Sequence, residues 1–404
     1  MIPLVTLQDV QRANERIAGQ VQRSPMPKSE PLSADLGCNV YVKLENLQRT
    51  GSFKERGACN KLACLNASER ARGVIAASAG NHAQGVAYHA HRLGIPATIV
   101  MPEPSPLVKG RATKAYGAEV VLYGANYDDA FLRAKEIEKE RGQIFVHAFD
   151  DPLVIAGQGT IGLEILEDLP NVDAIILAVG GGGLISGVAA AVKALRPGVE
   201  IIGVNMANID SMRASVAKGS LVTLPAAQTI ADGIAVRTVS ALTLEHVQKY
   251  VDRVVTVDEE ETANAILQLL EKEKTVAEGA GAAPMAALIH RDLGLKGKSV
   301  VVGICGGNIN VNLIARIIER ALIKDGRRTR LSVILPDRPG QLAALLDRVA
   351  KAGANVLEVH HERVSQRLSL ADTEVELVLE TRGFEHIQEL LATLASAGLQ
   401  PTQK

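Results

Sequence analysis

The stretch AIILAVGGGGLISGVAAAV, residues 174–192, decides the fold. It carries no charge and is long enough to suggest a bilayer span, yet its centre is four consecutive glycines, Gly180 to Gly183, which would break a membrane helix. It reads instead as a strand, a tight turn and a helix buried in a soluble core. Outward from it the same texture recurs between about Val40 and Asn310, in GVIAASAGN, ATIVMPE, EVVLYGAN, EIIGVN and SVVVGICGGN. Each run is stopped by Gly or Pro, and several lead into a helical period. Runs apolar on both faces and separated by helices predict parallel strands covered on both sides, an α/β chain. In such sheets ligands sit beyond the carboxyl ends of the strands, at glycine-rich turns. Three turns have that character: Ser78 to Gly85, Gly180 to Leu184, and Cys305 to Asn308.

Composition narrows the function classes. The 404 residues are 47% hydrophobic and 22% charged with a net charge of -1, a globular balance with no electrostatic footprint for nucleic acid or an anionic membrane. Aromatics are 3% and Trp is absent, so stacking platforms for single strands have little to work with. Four cysteines without a CxxC pair fit a reducing cytoplasm, and the N-terminal MIPLVTLQDVQRANERIAGQ reads as an amphipathic helix capped near Thr6 rather than as an export signal.

In ENLQRTGSFKERGACNKL, residues 45–62, Lys54 stands at a helix start, where the dipole disfavours a cation. Desolvated there, its amine pKa would fall, as a Schiff-base nucleophile requires; the spacing alone leaves a solvated surface lysine equally open. GGGGL, Gly180 to Leu184, offers backbone N–H groups at a helix start for a phosphate, against the alternative of a turn only. The dinucleotide pattern GxGxxG fails there, and GLKGKS before Val300 lacks the first Gly of a P-loop, which Asp292 replaces. SAGNHAQG, Ser78 to Gly85, suits a carboxylate, with His82 read as a packed side chain more readily than a catalytic one. His89, His91 and HHER at His360 lack metal-binding spacing, so no metal site is expected.

The ordered set GSFKERGA, SAGNHAQG, GGGGL and CGGN resembles pyridoxal-phosphate enzymes of the tryptophan-synthase-β type (fold type II), specifically the threonine/serine ammonia-lyase branch, over Ser24 to about Ala321. The resemblance implies two open twisted-sheet lobes, the smaller over roughly 45–150, and pyridoxal 5'-phosphate as cofactor. It implies that Lys54 holds the cofactor covalently and takes the Cα proton, with Phe53 beside the ring. Asn81 would bind the phenolic oxygen, and the backbone of Ser78, Ala79, Gly80, Asn81 and His82 the substrate carboxylate. Gly180, Gly181, Gly182, Gly183 and Leu184 would cradle the phosphate, and Cys305 would face the pyridine nitrogen, unless it is an ordinary buried thiol. The similar serine racemases place a second serine where this chain has Ala79, and divalent-metal carboxylates where it has Asn205 and Ser211.

Past KDGRRTR, residues 324–330, the strand-Gly-helix rhythm stops. The expected division is a catalytic domain over 1–321, a linker over 322–330 and a tail over 331–404 in β-α-β-β-α order with a short last strand, ferredoxin-like. ILPDRPGQLAALLDRVAKAGANVLEVHHER within it looks like an ACT domain, the amino-acid-sensing module of many such lyases. That resemblance implies an effector near Asp337, Pro339, Gly340 and Leu342. The expectation is a cytoplasmic L-threonine ammonia-lyase forming a homodimer or homotetramer, acting on small amino acids, with no nucleic-acid or membrane partner. The alternatives are a serine/threonine racemase, a serine-preferring dehydratase, or an inactive amino-acid sensor.

Overall fold

The computed structural model describes residues 3–105, 107–363 and 369–404. Two units divide it, Met1–Ile309 and Asn310–Lys404. In the first, the 174–192 stretch forms a fully buried strand, Ala174–Ala178, and the helix Gly183–Leu195, joined by the glycine turn. Its sheet has six strands, in the order Lys28–Ser29, Asn39–Lys43, Ser299–Gly303, Ala174–Ala178, Glu200–Met206 and Arg253–Val257. Every pairing is parallel except that of the short first strand. Aliphatic side chains from the strands meet Ile161, Ile165, Leu184, Ile185 and Val188 of the covering helices, which is why these strands show no alternation of polar and apolar residues.

A second, all-parallel sheet runs Glu119–Leu122, Ala97–Met101, Val74–Ala77, Ile144–Phe145. Its core is packed by Ala83, Val86, Ala87 and Ala90 of the helix Asn81–Leu93, together with Ala58 and Leu62 of the helix Lys54–Ala63. Thr6 caps the first helix, Leu7–Ile17, reciprocally with Asp9; Met1 and Ile2 lie outside the described residues. No helix among the described residues is long and apolar enough to cross a membrane. The four cysteines are free thiols.

The second unit opens with the helix Val311–Lys324, which the sequence reading had largely placed before the linker. Arg328 to Arg330, read as linker, already belong to the strand Arg328–Pro336, leaving Asp325 to Arg327 as the connection. A chain that reverses at Gly326 can start pairing at once; Arg328 and Arg330 at the head of the strand hide it, although Thr329 between them is already buried. The sheet order is Asn355–Glu362, Asp372–Glu380, Arg328–Pro336, Thr402–Gln403, all antiparallel. With the helices Gln341–Lys351 and Phe384–Ser396 this completes a βαββαβ, ferredoxin-like unit around Leu331, Val333, Leu345, Leu377 and Leu390. Pro401 precedes the last strand and confines it to two residues at an edge. Val364 lies outside the described residues.

Candidate active site

Lys54 is the first residue of its helix, and the cap position before it, Phe53, makes no side-chain cap bond. The turn that delivers it is zipped to the end of the strand Ser299–Gly303. Phe53 N–H donates to the Cys305 carbonyl at 3.1 Å, Gly307 N–H to the Gly51 carbonyl at 2.9 Å, and Ser52 bridges Gly306. Residues far apart in the sequence, Gly51 to Phe53 and Cys305 to Gly307, are thereby fixed side by side. The Lys54 amine donates to the Ala148 carbonyl at 2.8 Å and stands 5.1 Å from the Phe53 ring centre. Burial lowers its pKa to about 8, against the pull of the Glu278 carboxylate. Burial also drives the Cys305 thiol well above its ordinary range, with the Glu45 charge adding, so it is neutral.

Asn81 begins the next helix, after a cap residue, Gly80, that has no side chain to offer. Its amide is held from both sides: Nδ2 donates to Glu278 Oε1 at 2.6 Å, and Oδ1 accepts from Asn308 Nδ2 at 2.8 Å. The same Asn308 nitrogen donates to the Thr50 carbonyl at 2.8 Å. The chain Asn308, Asn81, Glu278 thus joins three distant segments around the lysine. His82 is buried, with Nε2 donating to the Val146 carbonyl at 2.8 Å; burial, then the Lys54 charge, pushes its pKa down to about 3, so the ring is neutral at pH 7. Ser78 N–H is committed to the Val100 carbonyl, and Ser78 Oγ accepts Gly80 N–H at 3.2 Å.

The glycine loop is defined by what no side chain would leave room for. A Cβ on Gly181 would stand 2.2 Å from Phe149 Cδ1, and one on Gly183 2.9 Å from Phe149 Cα. Gly182, at φ +92°, is left-handed, open to glycine and strained for other residues. The first-turn N–H groups of the helix that follows have no acceptors within it, so the loop offers an anion a cradle with a helix N-terminus behind it. These residues fit a phosphate-bearing cofactor with an aldehyde that a lysine captures.

Three participants carried no signal in the reading of the sequence. Ala148 acts through its carbonyl and Phe149 by its contact with glycines; HAFDDP nevertheless contains a helix start, with Asp151 capping and Pro152 following. Glu278 is a single buried acid ahead of the apolar helix Gly279–His290, an isolated charge that merited suspicion. In the tail, Gly340, at φ +90°, caps the helix Gln341–Lys351 and Leu342 packs on its core. Asp337 pairs with Arg363 at 3.2 Å. Among the described residues no group of three His, Cys, Asp or Glu is placed to hold a metal ion.

The family described as "Pyridoxal-phosphate dependent enzyme" matches residues 17–306. The chain is 50% identical to an L-threonine ammonia-lyase of Thermotoga maritima over 98% of this chain and 99% of that one, and 50% identical to another of Geobacter sulfurreducens over 96% and 97%. Similar solved structures include threonine deaminase isoform 2 of Solanum lycopersicum in its processed form, at a TM-score of 0.74 and 37% identity over 79% of this chain and 96% of that one. Maize serine racemase matches at 0.75 and 33% over 80% and 99%.

Proposed function

The chain belongs to the pyridoxal-phosphate-dependent enzyme family, and from that premise we propose that it is an L-threonine ammonia-lyase, releasing 2-oxobutanoate and ammonia, with L-serine a poorer substrate that yields pyruvate. One observation carries the reading: a partly buried lysine amine of lowered pKa feels the Glu278 carboxylate that holds Asn81 and bonds the Ala148 carbonyl next to Phe149, which walls the glycine cradle, in a chain half identical to proteins of that name. Bound pyridoxal phosphate supplies the electron sink on which Cα loses its proton. Lys54 would hold the cofactor through Nζ and, once released by substrate, would take the Cα proton on the same atom. Asn81, its amide oriented by Glu278 and Asn308, would present its remaining Nδ2 hydrogen to the phenolic oxygen. With Ser78 N–H spent on the Val100 carbonyl, the turn from Ala79 to His82 would receive the substrate carboxylate, and Gly180 to Leu184 would receive the phosphate. Cys305, a neutral thiol, would face the ring nitrogen and would not carry the full negative charge needed to keep that nitrogen protonated.

Ala79 separates this reading from racemisation. It has no hydroxyl to return a proton to the opposite face of Cα, so D-serine formation should be negligible beside keto acid release. Incubating the enzyme with L-threonine, L-serine and their D-forms, with chiral analysis of residual amino acid, tests both points. Racemisation at a rate rivalling keto acid release would replace the lyase with a racemase.

The tail is proposed as an ACT domain that senses a small amino acid at Asp337 to Leu342. The βαββαβ order and the left-handed Gly340 turn, which brings backbone close to a ligand, support it. Isoleucine, valine, serine and threonine titrated into the full chain should include one that shifts apparent substrate affinity about 5- to 150-fold. Deleting residues 328–404 should keep keto acid release and abolish that shift. Loss of oligomer mass on deletion, with no amino acid bound by the full chain, would leave the tail as a purely subunit-joining element of a homo-oligomer.

A further inference from the structure

We propose that Asn205 is a positioning residue that holds the glycine loop in its phosphate-binding shape; the inference rests on the cradle reading of Gly180 to Leu184. Asn205 lies on the strand Glu200–Met206 and its side chain is fully buried. Both ends of its amide are used. Nδ2 donates to the Val179 carbonyl at 2.6 Å, one residue before the first glycine, and Oδ1 accepts Arg213 N–H at 3.1 Å. Arg213 is the third residue of the helix Ser211–Lys218, whose own cap, Asp210, makes no side-chain cap bond. Asn205 therefore caps from the neighbouring strand a helix start that local sequence leaves open.

That helix start packs on the loop. Met212 Cε lies 2.6 Å from where a Cβ of Gly182 would stand. Ser211 Oγ donates to the Val236 carbonyl at 2.6 Å, and the Val236 side chain lies 3.3 Å from the corresponding point on Gly180. One buried amide thus couples the chain entering the loop to the turn that supports its middle. Four glycines in a row have more conformational freedom than any other tetrapeptide. Their N–H groups bind an anion well only when aimed beforehand, since ordering them on binding would subtract from affinity. Without the Asn205 amide, the buried Val179 carbonyl and the part-buried Arg213 N–H would lose this partner, and the loop would relax to satisfy them.

The test is titration of pyridoxal phosphate into the cofactor-free full chain, read by the cofactor's absorption band, with pyridoxal as a second probe that lacks the phosphate. Asn205→Ala is expected to raise the Kd for pyridoxal phosphate roughly tenfold or more while leaving pyridoxal binding as in the wild type. Asn205→Asp, the same size, keeps an acceptor for Arg213 but sets a carboxylate against the Val179 carbonyl, and should be at least as weak. A role in stability alone would lower the thermal midpoint and leave both Kd values unchanged. A pyridoxal phosphate Kd within twofold of wild type in either variant, or an equal defect toward pyridoxal, overturns the proposal. Gly181→Asp in the same titration separates the two premises. If it too binds as wild type, the cradle reading fails; if it alone binds weakly, the cradle stands and Asn205 is removed from it.

Discussion

Lys54→Ala is expected to yield folded protein whose keto acid release from L-threonine falls by about 10³-fold or more, the scale of losing a positioned base together with the covalent hold on the cofactor. Folding should survive, because the amine makes one neutral-acceptor hydrogen bond, to the Ala148 carbonyl, whose loss costs about 1 kcal/mol. The chemistry should not survive. With a pKa of about 8, about a tenth of the amine is neutral at pH 7, whereas an amine at the ordinary 10.5 would be neutral in only about one molecule in 3,000. Burial at a helix start therefore raises the nucleophilic fraction some 300-fold by the same arithmetic. The sign follows directly: capture of added cofactor by the cofactor-free wild type should accelerate from pH 7 to pH 9 and level off above. Two measurements check this, stopped-flow absorbance for capture and a keto acid assay for turnover. Wild-type turnover by Lys54→Ala would sink the assignment of the lysine.

Much of this arrangement was legible in the residues because its parts are local. The runs around Ile75, Ile99, Ile175, Ile201 and Val301 are strands, and their lack of alternation told correctly of parallel sheets covered on both faces, whereas the run around Val120 is an edge strand that stays partly exposed. GGGGL and GSFKERGA were visible because a glycine run and a lysine at a helix start are unusual by themselves. What stayed hidden depends on tertiary pairing. The strand Arg253–Val257 is half-exposed along most of its length and opens with a charge; Lys28–Ser29 and Ile144–Phe145 are two residues each, too short to leave a pattern. Asn39–Lys43 ends in a lysine that a sequence places in water, yet Lys43 is fully buried, because Glu164, 121 residues away, meets it at 2.6 Å. The Ala148 carbonyl is beyond sequence reading in principle, since every residue has one.

That buried lysine belongs to the network on which the second large effect depends. Arg56, two residues after Lys54 on the same helix, is fully buried. It donates to both oxygens of Glu45, at 2.8 and 2.7 Å, and to both oxygens of Glu164, at 2.6 and 2.9 Å. Ser24 Oγ donates to Glu45 at 2.6 Å, and Lys43 completes a set of two cations and two carboxylates. Four segments converge on it: the strand Asn39–Lys43, the turn at Glu45, the Lys54 helix and the helix Pro152–Asp168. Arg56→Met would leave Glu45 and Glu164 sharing one cation in a buried site, and removing one partner of such a pair costs about 3–5 kcal/mol. Denaturant unfolding should show a loss of that size, and a smaller one for Arg56→Lys, which keeps the charge but cannot fork to two carboxylates. The pH dependence has a definite sign. Burial would raise the Glu45 pKa, but the Arg56 charge and hydrogen bonds overcome it and hold it below the ordinary carboxylate value. Its contribution is therefore complete above the ordinary range and lost as the pH falls through that range toward the lowered folded value. In Arg56→Met that contribution is already missing, and protonating the stranded carboxylates relieves them, so the gap between variant and wild type should narrow below about pH 4.5. A loss under about 1 kcal/mol at neutral pH would mean that water or rearrangement satisfies the carboxylates. The network would then no longer explain how the helix carrying Lys54 is fixed to the sheet.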